Sequence, residues 1–220
     1  MRMFSPRTLL ALLFLATAPV AFADSVNWAT WNSSTTPGVA TATIGSVNVT
    51  YTGEYSFVDA SNAGNFNFFQ PTSTYVGGVV GNAPTDGGMV AILGTNTTHT
   101  ISFSTPVSGL VFSFVSLGNP TLPTQYTFNQ AFSVVACGPN IVYGGGCPTT
   151  SGNTLIGTES DGTIVFTALG PISSLSFVGA NPENWNGFTV GLITPEPESL
   201  ALVGTGILTL AGFVRRRIRA

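Results

Sequence analysis

From residue 24 to residue 193 apolar residues alternate with small polar ones, in runs cut short by Gly, Pro and Asn. Val47-Asn48-Val49-Thr50-Tyr51-Thr52 alternates cleanly, as does Thr100-Ile101-Ser102-Phe103-Ser104, and Leu110 to Val115 follows after Pro106. Further runs are Thr163 to Phe166, Ile172 to Phe177 and Gly187 to Leu192, and Gln125–Phe128 with Phe132–Val135 reads as a strand pair around Asn129-Gln130. A period of two puts successive side chains on opposite faces of a strand; a helix would need apolar residues three and four apart. No heptad, no amphipathic helical stretch and no convincing repeat competes with this pattern. About ten to twelve short strands at such spacing predict an all-β fold, an antiparallel β-sandwich or jelly roll. Phe, Val, Ile and Leu would fill the core, and Thr, Ser and Asn would form an uncharged coat.

Charge narrows the function. The chain has 220 residues, of which only 7% are charged. All six basic residues are arginines near the ends: Arg2, Arg7, Arg215, Arg216, Arg217 and Arg219. The body holds seven acids (Asp24, Glu54, Asp59, Asp86, Glu159, Asp161 and Glu183) and no Lys or Arg, a formal charge of −7. Nucleic acid is not the expected partner, because phosphate neutralisation needs cations. Low charge with abundant Val, Ile, Phe and Thr is also the reverse of a disordered composition. Edge strands are usually guarded by lysines, so covered edges, glycines or tolerated association must serve here.

Residues 1–23 read as a signal peptide. Arg2 and Arg7 precede the apolar stretch Leu9 to Ala18, Pro19 breaks it, and Ala21-Phe22-Ala23 is an A-x-A cleavage site leaving Asp24 first. The alternative, a retained anchor, would need about 20 apolar residues. Export changes the reading of the two cysteines, Cys137 and Cys147, which flank a Gly-rich loop. An oxidising compartment favours a disulfide between them, with roughly 2–3 kcal/mol of stabilisation from closing so short a loop. Zinc would need more ligands than the single His99 supplies, and no basic group lies nearby to activate a thiol.

Catalytic patterns are missing. His99, in Asn96-Thr97-Thr98-His99-Thr100, has no partner motif and reads as a surface residue at a strand edge. There is no Gly-x-Ser-x-Gly, no His-Glu-x-x-His and no phosphate loop, so a non-enzyme is expected. Glu159-Ser160-Asp161-Gly162 and Asp86-Gly87-Gly88 could offer oxygens to a structural Ca2+. The simpler reading is a turn, with Asp161-Gly162 closing a hairpin. Trp185, flanked by Asn184 and Asn186, could stack on a sugar whose hydroxyls meet the amides. Packing is the competing role for Trp185, Trp28 and Trp31. Asn-x-Ser/Thr triplets begin at Asn32, Asn48 and Asn96, as expected in a chain rich in Asn and Thr.

Residues 194–220 differ from everything before them. Thr194-Pro195-Glu196-Pro197-Glu198-Ser199 leads into an uncharged apolar run from Leu200 to Val214, followed by Arg215-Arg216-Arg217-Ile218-Arg219-Ala220. This tripartite order resembles the PEP-CTERM sorting signal of exosortase substrates, with Pro195, Glu196 and Pro197 as the motif. The resemblance implies recognition by a membrane-embedded exosortase after signal peptidase and the secretion machinery have acted. It further implies cleavage near the motif and delivery to the surface or matrix of an exopolysaccharide-producing Gram-negative bacterium. The body is similar to the β-rich ectodomains that precede such tails, chiefly at Asn184 to Gly191, a likeness that names no activity. The physics agrees. A 15-residue helix from Leu200 to Val214 spans about 22 Å, short of a hydrocarbon core of roughly 30 Å. Arg215, Arg216, Arg217 and Arg219 would stop transfer, stay cytoplasmic and snorkel. Gly204, Gly206 and Gly212 would let another helix approach. A transient single-pass hold in the inner membrane follows. The expected role is a non-enzymatic surface or matrix protein linked to biofilm and exopolysaccharide; the runner-up is a carbohydrate-binding module for that polysaccharide.

Overall fold

The computed structural model describes residues 24–194, apart from Thr35, Asn62 and Ala63, together with Gly206. The expected signal peptide with Ala21 and Ala23, the motif Pro195 to Pro197, the arginine cluster and, Gly206 aside, the apolar run lie outside the described residues. Among the described residues no helix is long and apolar enough to cross a membrane.

Fifteen strands make up the described chain. They begin with β1 (Ser25–Trp28), β2 (Thr30–Trp31), β3 (Val39–Ile44), β4 (Val47–Thr52) and β5 (Phe57–Asp59). Next come β6 (Met89–Ile92), β7 (Thr98–Val107), β8 (Leu110–Leu117), β9 (Thr124–Phe128) and β10 (Phe132–Cys137). The last are β11 (Thr149–Ser151), β12 (Thr154–Gly157), β13 (Ser160–Phe166), β14 (Ile172–Ala180) and β15 (Asn186–Thr194). One sheet runs β10-β13-β8-β15-β6-β5, with β1 beside the second half of β15; the other runs β11-β12-β9-β14-β7-β4-β3-β2. Every pairing within them is antiparallel, as the alternation predicts.

The two sheets close on a shared core. Tyr51, Ile101, Tyr126, Phe128, Leu175 and Phe177 from one sheet meet Phe112, Phe114, Ile164, Phe188 and Val190 from the other. Phe112 stacks on Phe188 with centroids 4.9 Å apart, and Phe177 meets both rings edge-on. The second sheet turns its other face to solvent, so β3 and β7 alternate buried and exposed.

The first sheet does not. All eight residues of β8 are buried, because the stretch between β5 and β6 and the loop after β10 cover its outer face. Phe69, Tyr75, Ala83, Met89 and Val115 form a second cluster there, and Val26, Val80 and Val111 a third. Polar groups fasten this cover. The Thr163 hydroxyl donates to the Tyr75 carbonyl at 3.0 Å and that of Thr74 to Pro139 at 2.8 Å, while Asn82 exchanges two bonds with Val26.

Several sequence expectations are corrected. Gln125–Phe128 and Phe132–Val135 are not partners: β9 pairs with β12 and β14, β10 with β13. Asn129 is the reason, since its backbone and side chain both bond Ser176 of β14 and the chain then crosses to the other sheet. The run seen as Thr100 to Ser104 extends through Pro106. Pro106 lies in β7, where the β14 ladder jumps from Ser102 to Val107 and the β4 ladder has stopped at Phe103, so no partner requires its missing N–H. Asp161-Gly162 is not a turn but part of β13. The reversal is made by Thr158 and Glu159, with Glu159 at φ 66. Finally, His99 is fully buried, because position 99 faces inward with Ile101 and Phe103.

Edges are guarded by brevity. The sheets end on β5 and β11 with three residues each and β2 with two; β10 carries a bulge between Val134 and Ala136.

Candidate functional site

The outer face of the first sheet carries a row of rings at the end where β15 starts. Trp185, just before β15, meets Phe57 at 5.4 Å, Tyr143 at 5.5 Å and Phe68 at 5.6 Å. Phe68 also meets Tyr143 at 6.1 Å and Phe66 at 5.1 Å. Phe57, Phe68, Tyr143 and Trp185 are half-buried, and Phe66 is 52% exposed. These residues come from β5, the covering stretch, the loop after β10 and the entry to β15. Tertiary structure alone assembles them.

Local bonds hold each contributor. Cys137 and Cys147 are disulfide-bonded and enclose the loop that carries Tyr143. Inside it Asn140 donates to the Phe68 carbonyl at 2.6 Å and the Tyr75 hydroxyl at 2.9 Å, while its Oδ1 accepts from Val142 N–H at 2.8 Å. Gly187 lies under the rings. A Cβ there would stand 2.6 Å from Met89 Sδ and 2.9 Å from Val115, so only glycine fits.

Acids flank the rings. The Glu183 carboxylate accepts from Gly118 N–H at 2.6 Å and from Asn186 at 2.9 Å, yet burial pushes its pKa up. Asp161, fully buried, accepts at Oδ1 from Ser116 N–H at 3.0 Å and from the Tyr75 hydroxyl at 3.4 Å. Burial drives its pKa up to about 7, with Glu159 adding to the rise. The Ser116 hydroxyl donates to Glu159 at 2.5 Å. Burial, then the charges of Glu159 and Asp161, raise the Tyr143 phenol.

The residues singled out from sequence scatter. Trp185 belongs to the row and Asn184 is exposed beside it. Asn186 points inward, accepting from the Tyr126 hydroxyl and donating to Glu183, and presents nothing to a ligand. Trp31 fills the inter-sheet core, and Trp28 is half-buried against the third cluster. Asp86 closes its own turn by accepting from Gly88 N–H at 3.0 Å. Asn32, Asn48 and Asn96 are all exposed. Among the described residues no three His, Cys, Asp or Glu side chains gather as a metal-binding group.

His99 sits in the sandwich end. Its Nδ1 is 2.7 Å from the Tyr51 hydroxyl, its ring stacks on Phe177, and Nε2 is 4.0 Å from Glu54 Oε1. The Glu54 carboxylate in turn accepts N–H bonds from Leu93 and Gly94. Burial lowers the histidine to about 4 despite the nearby carboxylate, so it is neutral at pH 7 and enclosed.

The chain matches no protein-family model, no curated protein and no solved structure. What the site can do therefore rests on its own geometry. Half-exposed rings beside an exposed amide and carboxylates suit the apolar face and hydroxyls of a sugar. Phe66, Phe68 and Tyr143 escaped the sequence reading. For Phe66 and Phe68 the cue was Asn65-Phe66-Asn67-Phe68-Phe69, a short aromatic alternation between Gly64 and Pro71; Tyr143, alone in the glycine-rich loop, had none.

Proposed function

We propose that this is an exported, non-enzymatic β-sandwich protein of the bacterial surface or matrix, sorted and processed by an exosortase-like protease at Pro195-Glu196-Pro197. The observation that carries the reading is the pairing of β1 with β15, in which Ser25 stands opposite Thr194. Among the described residues the first strand begins at Ser25, two residues after Ala23, and the last ends at Thr194, one residue before Pro195. A leader cut at Ala23 and a tail held at the membrane would thus flank one self-contained body and leave it side by side. The enclosed, neutral His99 supports a role without turnover. The helix 200–214 and the arginines would hold the body at the inner membrane until cleavage transfers it outward.

A carbohydrate-binding role is the second reading, favoured by the ring row of Phe66, Phe68, Tyr143 and Trp185. That row lies at the Asn186 end of β15 and the tail leaves from the Thr194 end. At about 3.3 Å per residue the two are separated by about 26 Å, so a tethered body would present its rings away from the membrane.

Intact-mass analysis of the surface fraction tests the first reading. A C-terminus between Pro197 and Ser199 supports processing, whereas a chain still ending Arg219-Ala220 sinks it. Binding to the producing cell's exopolysaccharide, lost in Trp185→Ala under conditions where the variant is still fully folded, would favour the second reading. Turnover of a polysaccharide or peptide would overturn the non-enzymatic one.

A further inference from the structure

Asp161 holds one polar atom that the fold leaves unanswered. Its Oδ2 is buried with no hydrogen-bond partner among the described residues, although Oδ1 of the same carboxylate accepts from both Ser116 N–H and Tyr75. Leaving a buried carboxylate oxygen unpaired is costly, and natural folds retain such a group where something else completes it. Gly145 marks where Oδ2 points. A Cβ built on that glycine would lie 3.2 Å from Oδ2 and would overlap the Glu159 carbonyl, so the Gly145 backbone lies against Oδ2 and the Glu159 main chain.

Ser116 ties the pair together, its N–H on Asp161 and its hydroxyl on Glu159. Both Ser116 (φ 55) and Glu159 (φ 66) hold left-handed backbone to make this clamp, a strain found where a site demands it. The two carboxylates share no hydrogen bond with each other, so one proton between them does not account for Oδ2. Lys and Arg are absent from the body, and no side-chain cation can neutralise them.

We infer that Asp161 Oδ2 and the Glu159 carboxylate bind one hard divalent cation of the Ca2+ class beneath the disulfide-closed loop. Such an ion takes six to eight oxygens at about 2.3–2.6 Å. Two carboxylates supply part of the set, and backbone oxygens and water complete it. Half-exposed Glu159 opens the site to solvent while Asp161 anchors it. The ion would fix the loop that carries Tyr143 and so brace the ring row. This site does not depend on the sorting or the sugar-binding reading.

The test uses the full-length chain, stripped with chelator and titrated with Tb3+ as an optical stand-in for Ca2+. Tyr143 and Trp185, 5.5 Å apart, are the antennae for sensitised emission. A saturable signal, displaced by Ca2+ far better than by Mg2+ and weakened about tenfold or more in both Asp161→Asn and Glu159→Gln, is expected. Asp161→Asn should melt no lower than the native chain in chelator, since it removes a buried charge, yet should lose the rise in melting temperature that Ca2+ gives. Should Asp161→Asn fail to fold, the half-exposed Glu159→Gln decides alone. No saturable emission, emission unchanged in Glu159→Gln, or a native melting temperature indifferent to millimolar Ca2+ overturns the inference.

Discussion

Buried polar residues set the pH response of this chain, and His99 is the cleanest case. Its folded value of about 4 lies below the ordinary 6.5, so the folded histidine stays neutral while the unfolded one takes a proton. Stability from this group is therefore complete above pH about 6.5 and falls as pH drops toward about 4, by on the order of 3 kcal/mol. Asp161 and Glu183, whose carboxyls burial pushes upward, work in the opposite sense, so the native curve alone mixes signs. Comparison with His99→Gln isolates the term. The variant should cost about 1–3 kcal/mol at pH 7 through the lost Tyr51 bond, and that deficit should shrink as pH falls to 4.5. Denaturant unfolding at both pH values measures it; a deficit that stays constant or widens would show that the histidine is charged in the fold. Trp185→Ala is the complementary change. It strips three ring contacts from a half-buried cluster, so a loss of about 1–3 kcal/mol is expected, with the inter-sheet core untouched.

Strands were legible in proportion to how one-sided they are. In β4 and β7 the polar alternate positions meet solvent, and the period of two marks both elements. In β8 and β15 the alternate positions are Val111, Ser113, Val115 and Thr189, buried beneath a cover that no local pattern announces, so the strands could be found but their second packed face could not. β5, β6 and β11 are too short or too uniformly apolar to show a period. Asp161 failed for a related reason: an Asp-Gly pair promises a turn, but the left-handed Glu159 makes the reversal two residues earlier and turns the acid inward. The Cys137–Cys147 loop was readable from spacing, whereas its task of holding Tyr143 beside Trp185 was not. Reducing that disulfide should lower stability by about 2–3 kcal/mol, or about 5–10 °C in melting temperature for a body of this size. Tryptophan emission should report a loosened Trp185 before the sheets unfold. A Cys137→Ser variant that melts with the native chain would show that the glycine loop is held by Asn140 alone.

At the scale of the whole molecule, the body is anionic throughout and enters and leaves through neighbouring residues. Ser25 and Thr194 are cross-strand partners, so a short linker from residue 194 to residue 24, with new ends opened in the β11–β12 turn at Gly152-Asn153, should give a permutant that folds to the same two sheets. Retained melting temperature and disulfide would show that the fold needs neither leader nor tail. The charge pattern supplies a second, sharper handle on the tail. Trypsin cuts after Lys and Arg, and no such residue lies between Arg7 and Arg215. A processed surface form should thus resist trypsin even when unfolded in urea, with no change in mass. A form that keeps its tail should lose its last residues, down to Arg215, under the same treatment. Finding that mass loss in the surface fraction would mean that the tail persists as an anchor, and the reading of a temporary membrane hold would fall with it.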